Sequence, residues 1–178
     1  MTEDCGITLE QMLKARDERV LKQKKLIKRF DQPLISLTVN IPGRYKKTTL
    51  SSRIFNEGCN MLSKKLEETG NHPQYFEKRE LVTGPEAYVV VNSDEYALKE
   101  FVLQLESLHP LGRLLDFDVI GSNGQIISRE ELSYPKRKCL LCDEDAHICA
   151  RSRAHSIDLL LEKIQSITDA YFAGRIFK

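Results

Sequence analysis

Asp116 and Asp118 stand two residues apart inside an otherwise apolar run, Leu-Leu-Asp-Phe-Asp-Val-Ile (114–120). In a strand, side chains alternate between faces, so the two carboxylates project together while Leu115, Phe117 and Val119 point the other way. Paired carboxylates repel each other and gain nothing from burial. A hard divalent cation relieves that repulsion, and Mg²⁺ is typically held by one or two carboxylates together with substrate phosphates. Asp116 and Asp118 are therefore the candidate metal ligands and catalytic groups, with Mg²⁺ the expected cofactor. A solvated acidic strand face is the plainer alternative for any isolated D-x-D. Just upstream, Gly112 offers close backbone approach and Arg113 a cation for phosphate oxygens.

Two further basic groupings could serve the same chemistry. Pro42-Gly-Arg-Tyr-Lys-Lys47 follows a strand-like segment as a turn, where Lys46 and its neighbours could cradle phosphate. Cys149-Ala-Arg-Ser-Arg-Ala-His155 places Arg151, Arg153 and His155 at the expected start of the last helix. Cations there run against the helix dipole, which a bound anion would offset. His109, before Pro110, reads equally as a general base or as the residue that ends a helix.

Three of the five cysteines fall within residues 139–149. Cys139-x-x-Cys142 is a zinc half-site, but His147-x-Cys149 is not a regular second half, and His155 is also wanted by the phosphate reading. The expectation is therefore free thiols packed under the sheet, with zinc at Cys139, Cys142 and Cys149 as the alternative. Cys5 and Cys59 have no evident partners.

The elements that must position these groups are readable in outline. Thr8-x-x-Gln11 forms a capping box before a basic amphipathic helix at 9–29. Ile35, Leu37, Val39 and Ile41 alternate as a strand ended by Pro42-Gly43. Phe55, Cys59, Leu62 and Leu66 mark a second helix ending near Gly70. Residues 80–83 and 87–91 flank Gly84-Pro85 as a strand pair. Ser93 is the expected cap of a third helix carrying Leu98, Phe101, Val102 and Leu105. The D-x-D strand turns at Gly121-Ser-Asn-Gly124 into a hairpin partner at 125–128. Ile157, Leu160, Leu161, Ile164 and Tyr171 line a final helix. Helices interleaved with hairpins predict an α+β fold, a single domain over 1–178 with a mainly antiparallel sheet covered by helices.

Composition narrows the function. The 178 residues are 41% hydrophobic and 30% charged, with a net charge of +1. That balance argues against a polybasic membrane anchor or a nucleic-acid coat, and no apolar run approaches the ~20 residues of a membrane span. Clustered reduced cysteines and an N-terminus without signal-peptide features suggest the cytoplasm. A zinc-stabilised nucleic-acid-binding module is the competing class, weakened by the absence of tryptophan for base stacking.

Gly-Arg-Leu-Leu-Asp-Phe-Asp-Val (112–119), Ile-Ser-Arg (127–129) and Arg-Lys-Cys-Leu-Leu-Cys…Cys-Ala-Arg-Ser-Arg-Ala-His (137–155) together resemble the apo-citrate lyase phosphoribosyl-dephospho-CoA transferases, over about residues 33–165. The helix at 1–30 adds little to the likeness. The resemblance implies a nucleotidyltransferase-type reaction, in a fold that would be nucleotidyltransferase-like. The donor is 2′-(5″-triphosphoribosyl)-3′-dephospho-CoA, the acceptor a serine on the acyl carrier (gamma) subunit of citrate lyase, and diphosphate leaves. The same chemistry on the carrier of malonate decarboxylase is the near alternative. Asp116 and Asp118 would hold metal, and Arg113, Lys46 and Arg151 or Arg153 the departing diphosphate. No third carboxylate is obvious; Glu130 and Asp143 are the candidates.

Overall fold

The computed structural model describes residues 6–176; Cys5 lies outside them. The first helix, α1 (Leu9–Phe30), starts at the expected capping box, with Thr8 accepting from the Gln11 N–H and Gln11 returning to the Thr8 N–H. Asp31 ends it in the left-handed conformation and turns the chain into β1 (Leu34–Val39). Then follow α2 (Thr49–Glu68), β2 (Pro73–Leu81), β3 (Gly84–Val91), α3 (Glu95–Leu108), one 3-10 turn (Gly112–Leu114), β4 (Leu115–Ile120), β5 (Ile126–Ile127), α4 (Ala146–Ser152) and α5 (Ile157–Ile176).

The sheet runs β2-β3-β1-β4-β5, every neighbour antiparallel. The α+β, mainly antiparallel expectation therefore holds. One face carries Ile35, Leu37, Ala87, Val89, Leu115, Phe117 and Val119, all buried against α2, α3 and Ile164 of α5. The other face is divided. At one end Leu34, Tyr88, Val90 and Ile120 pack against Leu26 and Ile27 of α1. Toward the other end, strand alternation places Ser36, Thr38, Glu86, Asp116 and Asp118 on that same face. Glu86 is fully buried there, held by Arg19 of α1, Arg79 of β2 and the Tyr88 hydroxyl.

Two elements differ from expectation. β2 begins at Pro73 rather than 80, because as an edge strand it alternates half-buried Tyr75, Glu77 and Arg79 with exposed Gln74, Phe76 and Lys78 and shows no apolar period. Asp94, not Ser93, caps α3, its carboxylate accepting from the N–H groups of Tyr96 and Ala97. Among the described residues no helix is long and apolar enough to cross a membrane.

Candidate active site

β4 presents Asp116 and Asp118 on one face, opposite Thr38 and Ser36 of β1. Asp116 remains 46% exposed and meets Arg137 Nη1 at 3.3 Å. Asp118 is more enclosed. Burial, and then the charge of Asp116, push its carboxyl up to about 6, against the pull of Lys99, Arg137 and Arg19. Beside it, Ser36 Oγ is buried with no hydrogen-bond partner among the described residues. A carboxylate pair next to an unsatisfied hydroxyl is a donor set suited to a hydrated hard cation.

The open edge of β4 is closed by side chains that the sequence reading missed. β5 pairs only with Val119 and Ile120. Before that point the Phe117 N–H donates to Glu106, the Phe117 carbonyl accepts from Lys99 at 3.2 Å, and the Leu115 carbonyl accepts from Arg137 at 3.2 Å. Glu106 is a buried carboxylate joined to Asp116 through Arg137. It is 5% exposed and binds Arg129 at 2.7 Å and Arg137 closely. Burial raises its pKa while Arg137 and the Phe117 N–H pull it down. Glu130 is exposed and Asp143 lies in the cysteine loop. One signal could have found Glu106: Lys99 and Glu106, seven residues apart on α3, put two charges on a helix face shared with Leu103.

A cavity of about 610 Å³ adjoins the pair, and Arg137 is common to both. Lys46, Arg113, Arg153 and His155 line it, with Leu140, Leu160 and Ile164 as apolar wall. Burial, and then Arg16, lower the pKa of Lys46, whose ammonium donates to the Ile41 carbonyl. Arg113 donates to the Lys138 carbonyl.

Four of the anticipated residues thus converge, and three placements need correction. Arg151 and Arg153 do not begin the last helix: Arg151 sits in the last turn of α4, where a cation suits the dipole, and Arg153 is its left-handed cap. α5 starts only at Ile157, and Arg151 is exposed outside the cavity wall. Gly112 is buried rather than presented to a ligand; a Cβ there would lie 2.8 Å from the Glu106 Cα and closer still to its carbonyl oxygen. His109 ends α3, accepts from the Leu111 N–H and contacts the Tyr171 hydroxyl, which donates to Glu57.

The cysteines are not packed under the sheet either. Cys139, Cys142, Cys149 and His155 bring their ligand atoms within 4.8 Å of one another, a group able to hold a metal. Spacing along the chain hid this, because the turn at Arg153 returns His155 to within 3.3 Å of Cys142 Sγ. Burial works against ionisation of Cys139, but the N–H groups of Leu141 and Cys142 and the neighbouring thiols bring it down to about 7. Cys59 is apart, fully buried, its thiol raised to about 12 by desolvation.

The model of the family described as apo-citrate lyase phosphoribosyl-dephospho-CoA transferase matches residues 7–171. The chain belongs to this family. The match takes in α1, so membership reaches well beyond the 33–165 core. Among similar proteins, a probable apo-citrate lyase phosphoribosyl-dephospho-CoA transferase of Vibrio cholerae serotype O1 is 41% identical over 169 residues, covering 94% of this chain and 95% of the relative. Apo-citrate lyase phosphoribosyl-dephospho-CoA transferases of Shigella boydii and Escherichia coli O157:H7 are each 36% identical over 162 residues, covering 91% of this chain and 88% of theirs. In this transferase family member the described residues of D-x-D, Arg113 and the cysteine arm all fall inside the matched span.

Proposed function

We propose that the protein transfers the phosphoribosyl-dephospho-CoA group from 2′-(5″-triphosphoribosyl)-3′-dephospho-CoA to a serine of the acyl carrier (gamma) subunit of citrate lyase. The bond between the α- and β-phosphates breaks, the serine oxygen bonds to the α-phosphorus, and diphosphate and the serine proton leave. The observation that carries this reading is the carboxylate pair on one strand face beside a cavity ringed by Lys46, Arg113, Arg137 and Arg153. Mg²⁺ held by Asp116 and Asp118 would neutralise the triphosphate and align the acceptor. Arg113, Lys46 and Arg153 bind the departing diphosphate, to which guanidinium and ammonium groups give charge-assisted hydrogen bonds. Arg137, between Asp116 and Glu106, holds the pair in place and links it to the cavity. The apolar wall at Leu140, Leu160 and Ile164 suits the less polar parts of the donor.

Incubating the protein with apo-carrier, donor and Mg²⁺, then weighing the carrier, tests the assignment. The carrier should gain the mass of the prosthetic group, and Asp116→Asn or Asp118→Asn should each slow transfer by orders of magnitude. Near-normal Mg²⁺-dependent turnover in either variant would remove the metal-ligand role. Faster labelling of the carrier from malonate decarboxylase than of the citrate lyase carrier would move the substrate assignment.

A further inference from the structure

We propose that Cys139, Cys142, Cys149 and His155 bind one structural Zn²⁺, which orders the arm at 137–155 and so holds Arg137 and Arg153 against the cavity.

The four groups come from three short pieces of chain. Cys139 and Cys142 lie on a tight loop closed by the Lys138–Asp145 bridge and by the Cys139 N–H donating to the Glu144 carbonyl at 2.7 Å. The Leu141 N–H points at Cys139 Sγ, 3.5 Å away, leaving that sulfur as an acceptor. Cys149 is in α4, seven residues long and close to one cysteine-bearing turn. Arg153 adopts the left-handed conformation with φ 51°, and the Ala154 N–H reaches back to the Cys149 carbonyl at 3.1 Å. This helix stop aims His155 at Cys142.

The four ligand atoms lie within 4.8 Å of one another, and two of their separations come within a few tenths of an ångström of the edges of a tetrahedral zinc site. Zn–S bonds near 2.3 Å and Zn–N bonds near 2.0–2.1 Å require S···S edges of about 3.8 Å and S···N edges of about 3.6 Å. Cys142 Sγ stands 3.5 Å from Cys149 Sγ and 3.3 Å from His155 Nε2. Three sulfurs and one imidazole fill all four positions, the closed arrangement of structural rather than catalytic zinc, and thiolate softness favours zinc over a hard cation. Binding replaces three thiol protons by one Zn²⁺ and leaves the cluster with one net negative charge. Arg113 lies close enough to Cys139 to feel its charge, and Arg153 belongs to the same wall.

The arm also needs such a staple. Between β5 and α5, regular structure amounts to one bridge and α4, and Cys149 is the buried apolar residue of the arm. Besides the contacts of Leu140 with the core and of Arg137 with Glu106, the arm has little burial to order it, whereas a structural metal contributes folding energy directly.

The test does not depend on the transferase reading. Full-length protein is purified under reducing conditions without chelator, and metal is measured by mass spectrometry. About one zinc per chain is expected, near zero in Cys142→Ser and His155→Ala, and unchanged in His147→Ala, which alters an exposed imidazole of the same arm outside the cluster. Cobalt substitution should give the intense visible bands of a tetrahedral thiolate site. Chelation should expose the arm to proteolysis while α1 and the sheet stay protected. Protein that is metal-free as purified and neither binds added zinc nor gains protection from it would overturn the proposal. So would iron in place of zinc, or a Cys142–Cys149 disulfide in the reduced preparation. Stoichiometric zinc with no transferase activity would uphold the site and sink only the functional reading.

Discussion

Asp118 is the residue at which the electrostatics of the site can be read most directly. Its carboxyl titrates near 6 in the folded protein, against about 3.9 in an unfolded chain. The folded state therefore binds that proton more tightly. Its contribution to stability is fully present below about pH 4, is lost as pH rises through about 6, and is absent above. Without divalent cation, Asp118→Asn should raise the melting temperature relative to the parent near neutral pH, and the gap should close toward about pH 4. A gap constant across that window would contradict the burial argument. Arg153 offers a second residue-scale test, because its backbone and side chain have separable roles. Arg153→Gly removes the left-handed penalty and should stabilise the fold by about 1 kcal/mol. It should also weaken donor binding by about 1.5–3 kcal/mol, the range for a hydrogen bond to a charged group. Thermal melts and donor titration on the one variant would show the opposite signs; equal or tighter donor binding would take Arg153 out of the site.

At the scale of elements, the 3-10 turn before β4 is the hinge of the arrangement. Gly112 lets that turn lie directly on the last residues of α3, where a methyl group would press into the Glu106 backbone. Gly112→Ala should cost about 1–3 kcal/mol, as overpacking does, measured as a lower denaturant midpoint. Transfer should suffer as well, since Glu106 and the start of β4 must separate. What could be read from the sequence divides along the same line. Leu115, Phe117 and Val119 announce the strand face by alternation, and Thr8 with Gln11 announces α1, because both signals are local. β2 was legible only in its last residues, since a solvated edge strand has no apolar period. α4 is not legible at all: seven residues are too few for helical periodicity, so the sequence pattern runs Arg151 and Arg153 into the start of the last helix. Glu106 could not be paired with Arg129 and Arg137, which lie 23 and 31 residues away.

For the molecule as a whole, the sheet has two ends, and they are finished differently. β2 closes one end with Lys78 and Glu80 exposed along its length. At the other end β5 is only two residues long, so β4 would offer an unpaired backbone ladder if Lys99, Glu106 and Arg137 did not occupy it. An open ladder of this kind is a template for joining another chain edge to edge. The charged groups flanking the candidate site therefore also cover an edge that could otherwise pair with another chain. Glu106→Ala should free the Phe117 N–H and release both arginines, and light scattering at rising protein concentration should show self-association that the Asp116→Asn variant lacks. If the Glu106 variant stayed as dispersed as the parent, the edge would need another guard. Where self-association does follow, loss of transfer in the Glu106 variant reports colloidal behaviour as much as chemistry, and a helix residue bound to the strand that carries the aspartates is a solubility determinant that active-site mutagenesis alone would mislabel.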